Sequence, residues 1–123
     1  AIAHAMDTPV LNLIGQTSLK QLLALFERGR VLITPDSGPA HMSNAADIAT
    51  ISLHAATDPR RSGAYRSRDL CVDYFAEAAR VYRGTRPDKL KWGTRIENDD
   101  GVMALIPVDA VTARIDQAMS RCV

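Results

Sequence analysis

No apolar run in this sequence approaches the roughly 20 residues a membrane span needs, and no signal peptide opens it. Aromatic residues are scarce, 5% of the chain with a single Trp. No basic run interleaves with them, which leaves nucleic acid out as a partner. Charge of one sign is also lacking: 15 Lys and Arg against 14 Asp and Glu leave a net +1, too little to set up a steering field. The two cysteines, Cys71 and Cys122, have no metal-like spacing and read as reduced thiols of a cytoplasmic protein. His4, His41 and His54 likewise lack zinc-ligand spacing. No Gly-x-Gly-x-x-Gly, Walker loop or Gly-x-Ser-x-Gly elbow occurs, so those dinucleotide, nucleoside-triphosphate and hydrolase chemistries are excluded. There are no repeats, and no catalytic constellation is complete.

What is present suits one globular domain. The chain has 123 residues, 46% hydrophobic and 24% charged, enough to bury a core. Ala1 to Met6 reads as the tail of a helix with neither cap nor initiator Met, so a fragment of a larger protein is expected. Pro9 to Ile14 is an apolar run of strand length closed by Gly15. Its near-continuous apolarity suits a parallel strand covered on both faces. Leu19, Leu22, Leu23 and Phe26 then follow helical spacing. Ser18 and Gln21 form a capping box in front of them, and Gly29 stops the helix.

The stretch on which the rest turns is Val31 to His41. Val31 to Thr34 reads as a buried strand and Asp36-Ser37-Gly38 as a tight turn. A helix follows from Pro39, which suits the first helical position because it has no N–H. Ligands of open α/β sheets bind outside the carboxyl ends of the strands, where the next helix presents its free amides. The amides of Ser37, Gly38, Ala40 and His41 are then available to an anion. Gly38 permits close approach, Asp36 offers two acceptors to sugar hydroxyls, and His41 can donate to phosphate. The same residues equally describe an ordinary strand-to-helix turn with Asp36 or Ser37 as the cap.

Ile48 to Leu53 is a further strand, and the order strand, helix, strand, helix, strand predicts a parallel sheet with right-handed crossovers. His54 to Asp69 is a polar loop leaving the same sheet edge, longer than usual for such connections. Asp58-Pro59 starts a turn, and Arg60-Arg61 could grip a diphosphate through bidentate contacts or be simply solvated. Asp36 and Asp58 are a conceivable carboxylate pair, with no separation set by sequence. Leu70 to Val72 reads as a short strand, Asp73 to Arg80 as a helix and Val81-Tyr82 as extended. Pro87 to Trp92 reads as a helical turn, and Asn98 to Gly101 as a turn rather than a calcium loop. Trp92 and Tyr82 read as packing residues. Val108, Val111, Ile115, Ala118 and Cys122 share a stripe of a closing amphipathic helix entered at Pro107.

Three motifs in register carry a family likeness: Asn12 to Leu19, Asp36 to His41, and Thr57 to Tyr65. Together they resemble the C-terminal half of the ADP-heptose:lipopolysaccharide heptosyltransferases of glycosyltransferase family 9. The likeness is strong over Val10 to Tyr65 and looser to the end. It implies an α/β fold, a partial Rossmann-like parallel sheet flanked by helices from the C-terminal half of a GT-B enzyme. Residues 1–123 would be part of its nucleotide-sugar-binding domain, with the N-terminal acceptor domain absent. By the same resemblance Asp36, Ser37, Gly38 and His41 hold the heptose and diphosphate of ADP-heptose. Thr17 borders the adenosine, and Pro39, Ala40, Ser18, Arg60 and Arg61 stand as further donor-side positions.

The implied reaction is inverting transfer of heptose to the lipopolysaccharide core, without cofactor or metal, at most peripheral to the inner membrane. The general base belongs to the absent domain, so no catalytic residue is assigned and the isolated chain is expected to transfer nothing. Its uncovered apolar faces would favour self-association. Two alternatives stand beside this. One is a relative of the UDP-sugar epimerases, which continue their Asp-Ser-Gly turn with a second glycine where Pro39-Ala40-His41 stands here. The other is a non-catalytic nucleotide-binding domain.

Overall fold

A computed structural model describes residues 2–97 and 101–121. Its centre is a parallel sheet of β1 (Val31–Pro35), β2 (Ala49–His54) and β3 (Val72–Asp73), in that spatial order. Val31 lies opposite Ala49 and Pro35 opposite Leu53; on the other side of β2, Leu53 faces Val72 and His54 faces Asp73. Helices α1 (Ile2–Ala5) and α2 (Leu19–Arg28) precede β1, and α3 (Gly38–Ala45) joins β1 to β2. After β2 come the single turn α4 (Pro59–Ser62), a 3-10 stretch at Tyr65–Leu70, and β3. Then follow α5 (Phe75–Arg83), 3-10 turns at Pro87–Lys89 and Val102–Leu105, and α6 (Val108–Arg121). The expected α/β class holds: this is a partial Rossmann-like domain, a parallel sheet flanked by helices.

Period-2 alternation divides β2 between two environments. Ile51 is fully buried and meets Leu70, Val72 and Ala118, with Val111 and Ile115 of α6 packed alongside. Thr50, Ser52 and His54 alternate with that set and are equally buried. On this polar side Thr50 Oγ1 and Ser43 Oγ of α3 share a 2.7 Å hydrogen bond. The Thr50 amide donates to Ser67 Oγ at 3.2 Å, so a side chain of the 3-10 stretch takes a ladder bond where β3 does not reach. A second cluster, Phe75, Ala78, Ala79, Ile96 and Val102 around Ala55, seats α5 against the later segments. That packing is tied to the sheet edge by Ile96 N–H donating to Ala56 O at 2.8 Å.

Ser18 and Gln21 form the expected capping box in both directions. Several boundaries differ from expectation. Pro9 to Ile14 is not a strand: the Ile14 amide turns back to Asn12 Oδ1 at 3.1 Å, and the Gln16 amide to Leu13 O at 3.0 Å. Leu11 and Ile14 are 78% and 89% exposed, because an apolar run becomes a strand only where a neighbouring strand takes its backbone bonds. Val81 and Tyr82 are not extended but belong to α5, which runs on to a left-handed Gly84 cap. Asp73 stays outside that helix and accepts from the Phe75 amide at 3.0 Å. The short strand starts two residues later than the expected Leu70 and ends one residue past Val72, at Val72–Asp73. The long polar loop contains α4 and the 3-10 stretch. On α6, Ala118 is buried as expected, whereas Val108 is 78% exposed; Cys122, and Asn98 to Asp100 of the expected turn, lie outside the described residues.

Ile51 tests this core. Ile51→Ala removes a fully buried side chain at the centre of the sheet and should cost about 2–5 kcal/mol. Urea denaturation measures it, and a loss under about 1 kcal/mol would place Ile51 outside the core.

Candidate functional site

Parallel pairing puts the carboxyl ends of β1, β2 and β3 on one edge, and the segments leaving β1 and β2 there carry Asp36 to His41 and Arg60-Arg61. Thr17 and Ser18 stand before β1 at the start of α2, with Ser18 as its N-cap. Ser18 is occupied there, its hydroxyl accepting from Gln21 N at 3.2 Å and its amide donating to Gln21 Oε1 at 2.9 Å.

The turn after β1 is built as its residues suggest, with one difference in bonding. Ser37 is the N-cap of α3 and Pro39 sits in the first turn, but the Ser37 side chain does not cap. Its hydroxyl turns back to Thr34 Oγ1 at 3.1 Å and Pro35 O at 3.3 Å. The Ala40 amide, expected to face an anion, donates instead to Ser37 O at 3.1 Å, the price of closing the first helical turn. Gly38 is exposed, and a Cβ there would meet nothing within 4 Å. His41 is exposed on the same turn.

Asp36 is held from across the edge by the loop after β2. Ser62 Oγ, from the end of α4, donates to Asp36 Oδ2 at 2.6 Å. Burial pushes the carboxyl up, but hydrogen bonding from Ser62 and Thr57 and the charges of His54 and His41 outweigh it, leaving Asp36 below its ordinary 3.8. Thr57 and Ser62 fall in the Thr57–Tyr65 motif but were given no role, and His54 was weighed only as a metal ligand. The signal available was position: all three lie at or after the carboxyl end of β2.

Arg60 does not reach out as expected. Asp58 caps α4 by accepting from the Arg60 amide at 2.9 Å. Its carboxylate also takes the Arg60 guanidinium at 3.0 Å through Nε and 2.5 Å through Nη2. That hydrogen-bonded pairing holds Asp58 below its ordinary range. The guanidinium also stands over the Trp92 ring, 6.0 Å from its centre. Trp92, expected to pack, is 66% exposed, since its partner is a surface arginine; Tyr82 does pack against the second cluster. Asp36 and Asp58 thus have separate partners and do not act as a pair. Arg61 is exposed, beside Gly93. A cavity of about 230 Å³ lies next to this loop, lined by Pro59, Arg60, Gly63, Arg68, Cys71 and Asp73. Burial pushes the Cys71 thiol up to about 11, which makes it a poor nucleophile. Among the described residues no three His, Cys, Asp or Glu side chains gather to hold a metal ion, and no helix is long and apolar enough to cross a membrane.

Residues 1–90, which carry the whole of this edge, match glycosyltransferase family 9 (heptosyltransferase). The chain belongs to that family. It is 32% identical over 115 residues to the lipopolysaccharide core heptosyltransferase OpsX of Haemophilus influenzae. The aligned region covers 94% of this chain and 32% of that relative, so the chain spans about a third of the relative's length. No solved structure matches it.

Buried His54 gives the family edge a pH signature. Burial lowers its pKa below the ordinary 6.5, against the pull of Asp36, Asp73 and Asp58. The unfolded chain therefore binds a proton at a pH where the folded chain does not, so stability is complete above about 6.5 and falls as pH drops toward the folded value. Melting temperature should decline from pH 7 to pH 5, and less steeply in His54→Asn. Equal slopes would show that His54 does not titrate differently on folding.

Proposed function

We propose that this chain forms the donor side of a heptosyltransferase that transfers heptose from ADP-heptose to the lipopolysaccharide core with inversion. The observation that carries the reading is Asp36, ionised and held by Ser62 at the sheet edge, one residue before the N-terminus of α3 and beside exposed Gly38. A fixed carboxylate is an acceptor-only group, suited to sugar hydroxyls that must be oriented before transfer. The adjoining helix N-terminus and His41 meet the diphosphate, whose charge grows as the glycosidic bond breaks; donors preset at that place lower the barrier electrostatically. Thr17, ahead of the Ser18 cap of α2, borders the adenosine.

Arg61 supplies the open guanidinium of the Arg60-Arg61 pair, because Arg60 is engaged by Asp58. In this reading residues 1–123 are part of the nucleotide-sugar-binding domain of a GT-B enzyme, and an acceptor-binding domain supplies the base that deprotonates the acceptor hydroxyl. Family membership, together with Pro39-Ala40-His41 after the Asp-Ser-Gly turn, favours this over a UDP-sugar epimerase relative.

Calorimetric titration with ADP-heptose, with UDP as control, tests the reading. Saturable binding to the chain, weakened at least tenfold in Asp36→Ala and weaker still for UDP, is expected. Unchanged affinity in Asp36→Ala would end the assignment.

A further inference from the structure

The near-neutral charge of the chain conceals an uneven distribution. Residues 80–95 hold six of its 15 Lys and Arg (Arg80, Arg83, Arg86, Lys89, Lys91 and Arg95) against one of its 14 acidic residues, Asp88. The six are spaced rather than consecutive, and all are exposed. The fold brings four of them around one turn. Helix α5 ends at the left-handed Gly84, and the chain turns back through the 3-10 turn Pro87–Lys89. Arg80, Arg86 and Lys89 line the groove between that turn and α5. Lys91, Trp92 and Arg60 line a second groove, and Pro87 belongs to both.

Leu90 decides which side chains of this segment face outward. It packs against the cluster around Phe75, while its neighbours Lys89 and Lys91 stand in solvent. A tight turn follows, in which the Thr94 amide donates to Lys91 O at 3.0 Å and the Thr94 hydroxyl to the same oxygen at 2.6 Å. Gly93 takes a φ of +85° inside it, a conformation that suits glycine. Trp92 is thereby held 66% exposed.

The charges here are only partly matched. Arg80 pairs with Glu77 at 2.5 Å, Arg86 with Asp88 at 2.9 Å and Arg60 with Asp58 at 2.5 Å. Exposed pairs of this kind are weak, so they leave the arginines open to a competing anion. Among the described residues no ion pair engages Lys89 or Lys91. Free ammonium groups on long apolar stems beside an exposed indole suit a lipid–water interface: stems and ring enter the headgroup level while the charges meet anionic headgroups. Nucleic acid fits less well. A single strand asks for successive aromatic platforms, whereas Tyr82 packs against the Phe75 cluster and the Arg60 guanidinium stands over the indole.

We propose that residues 87–92, with Arg80 and Arg86, form a docking surface for an anionic lipid bilayer, held by charge and by Trp92 at headgroup level. Through Asp58 and Arg60 the surface adjoins the loop after β2, so docking brings that loop to the bilayer. Presenting the sheet edge to a lipid-anchored acceptor is a use that rests on the donor reading; the surface itself does not.

Trp92 is the chain's single tryptophan and reports directly. Vesicles of phosphatidylglycerol and phosphatidylcholine should shift its emission to the blue and carry the chain down on sedimentation. Phosphatidylcholine alone should do neither, and rising salt should reverse both. A wild-type chain that ignores the anionic vesicles overturns the proposal, and that result needs no variant to fold. Lys89→Glu/Lys91→Glu should weaken the partition more than about tenfold, whereas Lys20→Glu/Arg28→Glu should change it by less than about twofold. The second pair alters net charge equally, at exposed positions of α2. Equal losses in the two variants show total charge at work and overturn the surface. Tighter binding of a single-stranded oligonucleotide than of the vesicles assigns the patch to nucleic acid and overturns the lipid reading.

ADP-heptose titration keeps the two readings apart. Lys89→Glu/Lys91→Glu should bind the donor as the wild type does. Unchanged binding in Asp36→Ala overturns the donor reading alone, and the vesicle partition still decides the surface.

Discussion

The constraint on which this domain depends is that β2 buries a polar face. Thr50, Ser52 and His54 alternate with Ile51 and are as inaccessible as it is. An apolar strand face accepts any well-shaped cover, but a buried hydroxyl or imidazole left without a partner costs about 1–3 kcal/mol. Over Thr50 and His54 the cover arrives with matching groups in matching places, whereas Ser52 Oγ has no hydrogen-bond partner. Ser43 brings α3 to Thr50, Ser67 brings the 3-10 stretch to the Thr50 amide, and Thr57 meets His54. These bonds determine where the elements on either side of the Asp36–His41 turn come to rest. The turn inherits its geometry from them.

Electrostatics in the loop after β2 are organised in the same spirit. Asp58 and Arg60 cancel one another while fixing the start of α4. Asp36, Asp73 of β3 and the Arg61 guanidinium are then charges left near this edge, with His41 exposed on the turn. In the donor site proposed for this chain, such an arrangement would separate a group that orients a sugar from groups that meet phosphate.

Much of this was legible in the sequence. The α2 box, β1, α3 and β2 follow from periodicity, Gly29 and Pro39, which are local signals. The site residues Asp36, Ser37, Gly38 and His41 stood out because turn chemistry and helix start coincide in six residues. What was not legible depended on distant partners. Pro9 to Ile14 has strand composition, and no residue within it says whether a neighbour will pair with it. The Arg60 side chain looked available because nothing in Asp58-Pro59-Arg60 reveals that the cap would fold back on the guanidinium. His54 and Ser62 could not be recognised, since their importance lies in reaching Thr57, three residues away, and Asp36, which is 26 residues earlier.

Surface connections usually absorb insertions and deletions with little harm. The one after β2 is different, because α4 is pinned at both ends. Asp58 caps its start, and at its end a Cβ on Gly63 would come within 2.6 Å of Pro59 O, so only glycine lets the chain leave there. Between those pins the distance from Asp58 to Ser62 acts as a ruler. Adding or removing one residue would turn the Ser62 hydroxyl about 100° around a helix axis, away from the carboxylate it holds. Among relatives of this chain, the length of that turn is expected to vary less than its composition, even though it lies in a loop.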